Sequence, residues 1–119
     1  MLAKIQGKIG RREIEETLKQ VSLFEEKDKK YSEYSLGMKQ KLGIAQVLME
    51  NPDIIILDEP FNGIEENTVI KISKLLKEEK DRGKLIIIST HIKEDLEGLS
   101  DSIYYFDAGE VVGQIEENK

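Results

Sequence analysis

The sequence predicts an α/β protein built around parallel strands. Two short aliphatic runs, at 54–57 and 85–88, have the texture of strands buried on both faces. Between them, residues 66–80 carry Val69, Ile72, Leu75 and Leu76 at helical spacing. A buried strand, a crossover helix and a second buried strand is the unit from which parallel sheets are made. The region before residue 50 keeps a helical period instead, so helices precede the sheet.

The elements follow in order. Ile14, Leu18 and Val21 recur at i, i+4 and i+7, an amphipathic helix in a region that reads as helical from residue 1. The polar stretch "EEKDKKYSEY" interrupts it. Ser35 then caps a helix to about Glu50, with Met38, Leu42, Ala45 and Met49 on one side. "NPD" at 51–53 ends that helix, because proline and its predecessor resist continuation. After the 54–57 strand and the 66–80 helix, Gly83 is a helix stop. "KLIIIS" is the second strand and "KEDLEGL" at 93–99 a short helix. "SIYYF" and "EVVGQI" flank "DAG" as a hairpin.

Length and composition set bounds. The chain has 119 residues, the size of one domain, with 39% hydrophobic and 35% charged residues. A net charge of −6 argues against a nucleic-acid binder and against a polybasic membrane anchor. There is no cysteine, which excludes disulfides and thiolate metal sites and fits a reducing compartment. The aliphatic runs are too short to span a bilayer, and the first residues lack the apolar core of a secretory signal.

Three places concentrate polar chemistry. "IIILDEP" sets Asp58 and Glu59 side by side at the end of the most apolar segment. Two adjacent carboxylates repel, and a divalent cation would offset them. Asp58 suits a magnesium ion held through water, and Glu59 suits orienting or deprotonating an attacking water. Acidic residues also follow strands simply as turn formers. Ser89, Thr90 and His91 end the second strand, and ligands of parallel sheets sit at the carboxyl ends of strands. His91 is the only histidine; a surface role is its ordinary alternative. In "YSLGMKQKLGIAQVL", Ser35 is explained by capping, but Gly37 is not, because glycine weakens a helix start. A serine hydroxyl, a bare backbone and a helix N-terminus make an anion site, with Lys39 adding charge.

The order "YSLGMKQ", "IIILDEP", "NGIE", "STH" resembles the ATP-binding subunit of an ABC transporter, with wording nearest to bacitracin-resistance-type and other drug- or peptide-export ATPases. The four stretches resemble, in turn, the signature motif, the Walker B strand with its catalytic Glu, the D-loop and the switch histidine. The resemblance implies a partial P-loop NTPase, RecA-like parallel sheet, an ABC helical subdomain over 1–52 and the C-terminal part of the ATPase core over 53–119. It implies that Ser35, Gly37 and Met38 contact ATP held by a partner subunit, and that Asp58 serves Mg²⁺. Glu59 would be the general base and His91 would bind the γ-phosphate. Asn62, Gly63, Ile64 and Glu65 would cross the interface between two ATPase subunits. Tyr31 and Tyr34 fall where family members sense the transmembrane permease subunit. The chain would work in the cytoplasm, peripheral to the membrane. Leu36 replaces a glycine common in the signature, Met38 a glutamine, and Glu65 the usual D-loop aspartate.

One motif of such an ATPase is not in these residues. The only Gly-Lys pairs, Gly7–Lys8 and Gly83–Lys84, precede Ile9 and Leu85, so no G-x-x-x-x-G-K-S/T loop cradles a phosphate. The resemblance is therefore to the C-terminal half of the domain. It leaves the parallel strands paired with each other and the hairpin without its neighbour, with strand edges open to foreign pairing. Such a chain is expected to be marginally stable and inactive alone. The alternative is a non-catalytic remnant that docks on a complete ATPase or a membrane subunit. A free-standing metal-dependent hydrolase would leave the signature helix and "NGIE" unexplained.

Overall fold

The computed structural model describes residues 10–92, 96, 98–107 and 109–116. In chain order the elements are α1 (Arg11–Gln20), 3₁₀ turns at Phe24–Glu26 and Tyr31–Glu33, α2 (Leu36–Glu50), β1 (Ile54–Asp58), α3 (Glu66–Asp81), β2 (Leu85–Ser89), β3 (Ser102–Asp107) and β4 (Glu110–Glu116). The chain forms two compact units, residues 1–89 and 90–119.

In the first unit, α1 ends where Ser22 turns left-handed at φ 61°. The Leu23 N–H then returns to the Leu18 carbonyl at 2.8 Å, closing the helix end. The reversal buries Leu18, Val21 and Leu23 together. Helix α2 begins at the expected Ser35 cap, whose Oγ accepts the Met38 N–H at 3.2 Å. It stops at Asn51, left-handed at φ 54°, immediately before Pro52. Its buried side differs from the expected stripe: Leu42 and Ala45 are there, with Gly37, Lys41 and Ile44, while Met38 and Met49 are half-buried.

Strands β1 and β2 pair in parallel, Ile54 opposite Leu85 through Asp58 opposite Ser89. Helix α3 crosses between them, and its buried Ile72 and Leu76 join Ile55 and Leu57 in the core. Gly83, at φ 93°, ends the connection with its N–H on the Lys80 carbonyl at 2.9 Å. Lys84 then reaches back to the Asn51 side chain and pairs with Glu79 at 3.6 Å, both side chains buried.

The expectation of strands buried on both faces is corrected here. Ile55 and Leu57 are packed, but Ile54 is 56%, Ile56 70%, Leu85 56% and Ile87 47% exposed. These four are register partners on one face. Side chains alternate across a strand, and a single crossover supplies one helix, so one face is covered.

In the second unit β3 and β4 form the expected antiparallel hairpin, with a register irregularity between Tyr105 and Phe106. Gly109 turns it at φ 81°. Among the described residues the two strand pairs are separate sheets. The short helix expected at 93–99 falls largely outside the described residues.

The two sides of β1 give a stability test. Ile55→Ala is expected to cost about 2–5 kcal/mol in urea unfolding. Ile56→Ala is expected to cost less than about 1 kcal/mol, the span of strand propensity. Equal costs would mean that the second face is also packed.

Candidate functional site

The carboxyl ends of β1 and β2 place Asp58 beside Ser89. Ser89 Oγ donates to Asp58 Oδ1 at 2.9 Å. The next residue, Glu59, leaves the strand in the left-handed region at φ 47°. Such a backbone costs a non-glycine residue about 1–3 kcal/mol unless its surroundings hold it. Three contacts hold it: the Glu59 N–H donates to the Ser89 carbonyl at 2.7 Å, and the Glu59 carbonyl accepts from Gln40 Nε2 at 2.7 Å and from the Asn62 N–H at 3.4 Å. Pro60 and Phe61 follow, both buried. The adjacent carboxylates thus leave the strand along different backbone courses. Asp58 is exposed and Glu59 half-buried.

Among the described residues no three His, Cys, Asp or Glu side chains group as a metal cage. Asp58 and the Ser89 hydroxyl are nonetheless hard oxygen donors of the kind magnesium takes. They fit an ion that draws its other ligands from phosphate and water.

The loop from Glu59 to Glu65 packs on the start of α2. Gly63 turns at φ 75°, and the Ile64 N–H closes the turn on the Phe61 carbonyl at 3.1 Å. Here the two glycine backbones meet. A Cβ at Gly37 would lie 2.1 Å from the Gly63 carbonyl oxygen, and one at Gly63 would lie 3.1 Å from the Gly37 nitrogen. This contact explains the glycine that capping left unexplained. At the end of the loop, Lys41 Nζ bonds Glu65 Oε1 at 2.6 Å, and Thr68 Oγ1 donates to the same oxygen at 3.0 Å. Lys41 keeps only 8% side-chain exposure while Glu65 keeps 61%. The Lys41 hydrogen bond, then Glu65's own backbone N–H and Thr68, pull the Glu65 carboxyl down to about 2. Its place at the N-terminus of α3 favours the same charge state.

The first unit therefore sets Gly37 against Gly63 and Ile64, and the helix that Ser35 and Met38 open is tied to the loop through Gln40 on Glu59 and Lys41 on Glu65, with the Asn62 N–H on the Glu59 carbonyl beside Asp58. Ser35 Oγ and the Met38 N–H are engaged with each other in the cap. His91 stands near the start of the second unit, exposed, next to Thr90, whose Oγ1 accepts the Ile92 N–H at 3.1 Å. Of the two tyrosines before α2, Tyr34 is buried and donates to the Glu26 carbonyl at 3.1 Å. Burial, then the Glu26 and Asp28 charges, push its phenol up. Tyr31 is the exposed one, half its surface open under Lys39.

Two residues of the site escaped the sequence reading, Gln40 and Lys41. A signal was present. Lys41 lies beside Leu42 on the side of α2 that faces inward, where a lysine needs a partner. Its partner is more than twenty residues away, and spacing alone does not name it.

Three comparisons bear on these residues. The family model described as ABC transporter matches residues 4–62. The bacitracin transport ATP-binding protein BcrA of Enterococcus faecalis is 39% identical over 116 residues, which are 97% of this chain and 38% of that protein. An uncharacterized ABC transporter ATP-binding protein of Bacillus subtilis (strain 168), YybJ, is 44% identical over 101 residues, 85% of this chain and 46% of that protein. The chain thus spans less than half the length of these relatives. Among solved structures, the dimeric bacterial ABC transporter cassette MJ0796 matches with a TM-score of 0.81 at 29% identity, covering 98% of this chain and 50% of that one. A post-hydrolysis state of the same cassette, bound to ADP and Pi, matches with a TM-score of 0.81, covering 95% of this chain and 51% of that one.

The Lys41–Glu65 pair gives a pH test. Glu65 titrates below its ordinary 4.5 in the fold, so its stabilising contribution is complete above that pH. The contribution is lost as pH falls from about 4.5 toward about 2. Carboxyl carbon NMR should show Glu65 titrating at the lower end of that window, and Lys41→Met should return it toward the ordinary value. An ordinary midpoint in the unmodified chain would mean that the pair does not form.

Proposed function

Because the chain belongs to the ABC transporter family of ATP-binding proteins and corresponds to part of such a subunit, we propose that it supplies the hydrolytic half of an ATP site. The observation that carries this reading is the meeting of Asp58, Glu59 and Ser89 at the strand ends, with the α2 cap tied to the loop that follows. Residues 1–52 would provide the helical subdomain and 53–119 the C-terminal part of the core.

Each residue then has a task. Asp58, with Ser89 bonded to it, would hold Mg²⁺ through water. When bound, that ion would neutralise charge on the terminal phosphates. Glu59 would accept a proton from the attacking water, from a backbone held in a fixed direction. His91 would bind the γ-phosphate. Ser35, Gly37 and Met38 would face ATP gripped by a second ATPase subunit, and Asn62 to Glu65 would line that interface. Tyr31 would face a permease subunit, at the cytoplasmic side of a membrane. No described helix is long and apolar enough to cross one itself.

These residues contain no glycine-rich phosphate loop. Oriented donors on the transferring phosphate are usually the largest catalytic term, so the chain alone would hydrolyse ATP negligibly. The bare Ile54, Ile56, Leu85 and Ile87 face favours a second reading, a non-catalytic module docking on a complete ATPase or membrane subunit.

Supplying an ABC segment that carries the phosphate loop separates these readings. With it, magnesium-dependent ATP hydrolysis should appear. Glu59→Gln should then lower turnover by about 100-fold or more while ATP binding persists. Hydrolysis by the isolated chain at an ordinary rate, unchanged in Glu59→Gln, would contradict the proposal.

A further inference from the structure

Gly37, Gln40 and Lys41 stand at i, i+3 and i+4, so they share one face of α2. Each meets a different point of one loop: Gly37 the Gly63 carbonyl, Gln40 the Glu59 carbonyl and Lys41 the Glu65 carboxylate. The first and last of these fix the far end of the loop. Gln40 acts on its near end, where the backbone is left-handed. The peptide planes on either side of Glu59 are set by its N–H on Ser89 and by its carbonyl, on which Gln40 Nε2 at 2.7 Å is the shorter contact and the Asn62 N–H at 3.4 Å the longer. Without the Gln40 donor only the longer Asn62 N–H contact, at 3.4 Å, would remain on that carbonyl, and the residue would relax toward the ordinary φ range, which turns the Cα–Cβ bond away from its present direction.

We propose that Gln40 is a positioning residue for Glu59: its side-chain amide holds the Glu59 backbone left-handed and so sets where the Glu59 carboxylate points. The consequence for hydrolysis rests on the reading of Glu59 as the base. The conformational claim does not, and its test involves no nucleotide.

The test is NMR on the unmodified chain and two variants. In the unmodified chain, the Gln40 side-chain amide protons should exchange about tenfold slower than those of a free glutamine, the upper factor for the net strength of one hydrogen bond. Glu59 should show the Cα and Cβ shifts of a left-handed residue. Gln40→Met keeps the length and helix preference without the donor, and should move those shifts to ordinary values with the β1–β2 cross-peaks unchanged. Gln40→Lys restores a donor and should restore the shifts. Free exchange of the Gln40 amide, or left-handed Glu59 shifts persisting in a folded Gln40→Met, overturns the proposal. If Gln40→Met does not fold, the exchange rate and the Gln40→Lys shifts decide it.

Discussion

Where α2 begins, the bare α-carbon of Gly37 lies against the Gly63 carbonyl with no room for even a methyl group. The polar contacts between α2 and the 59–65 loop are arranged around that approach. Because the two backbones touch, the helix face at Gly37, Gln40 and Lys41 reaches the whole loop from Glu59 to Glu65. A side chain at Gly37 would lift the loop off the helix, moving the Lys41–Glu65 pair and the Gln40 bond together. One steric constraint thus couples the capped helix start to the acidic strand end.

The two neighbouring carboxylates coexist because the backbone parts them. Asp58 finishes the strand in register with Ser89, whereas Glu59 turns left-handed and departs. The strain at Glu59 persists because hydrogen bonds from β2, from α2 and from the Asn62 N–H hold both its flanking peptides. The strained residue stands beside a strand end, the place where parallel sheets bind ligands. Glu65, farther along, is charged for a different reason: it answers a lysine that has almost no exposure.

Much of this was legible in the sequence. Ser35, Asn51 and Gly83 punctuate helices by local chemistry, so those boundaries could be read directly. The parallel pair followed from two aliphatic runs and the helix between them, and the motif order carried the family. Burial was harder. The 54–57 run reads as a strand covered twice, but the described chain covers only the Ile55 and Leu57 side. The residues that match this family are fewer than half of its longer members' length, and a local pattern reports the environment of the complete domain. Gly37 showed its oddness as a poor helix starter, yet the reason, a turn at Gly63, is a contact between distant residues. Lys41 stood on the inward side of α2, but its partner Glu65, like the Glu59 carbonyl that Gln40 meets, is distant in sequence.

The polar arrangement depends on the helix start and the 59–65 loop holding together within this chain. A Cβ at Gly37 would sit 3.5 Å from the Ile64 nitrogen, so an α-proton of Gly37 lies close to the Ile64 amide proton. A nuclear Overhauser experiment on the isolated chain measures that directly. A cross-peak between Gly37 and residues 63 or 64 is predicted, alongside those of the β1–β2 ladder. Intact ladder cross-peaks with none between Gly37 and residues 63 and 64 would contradict it.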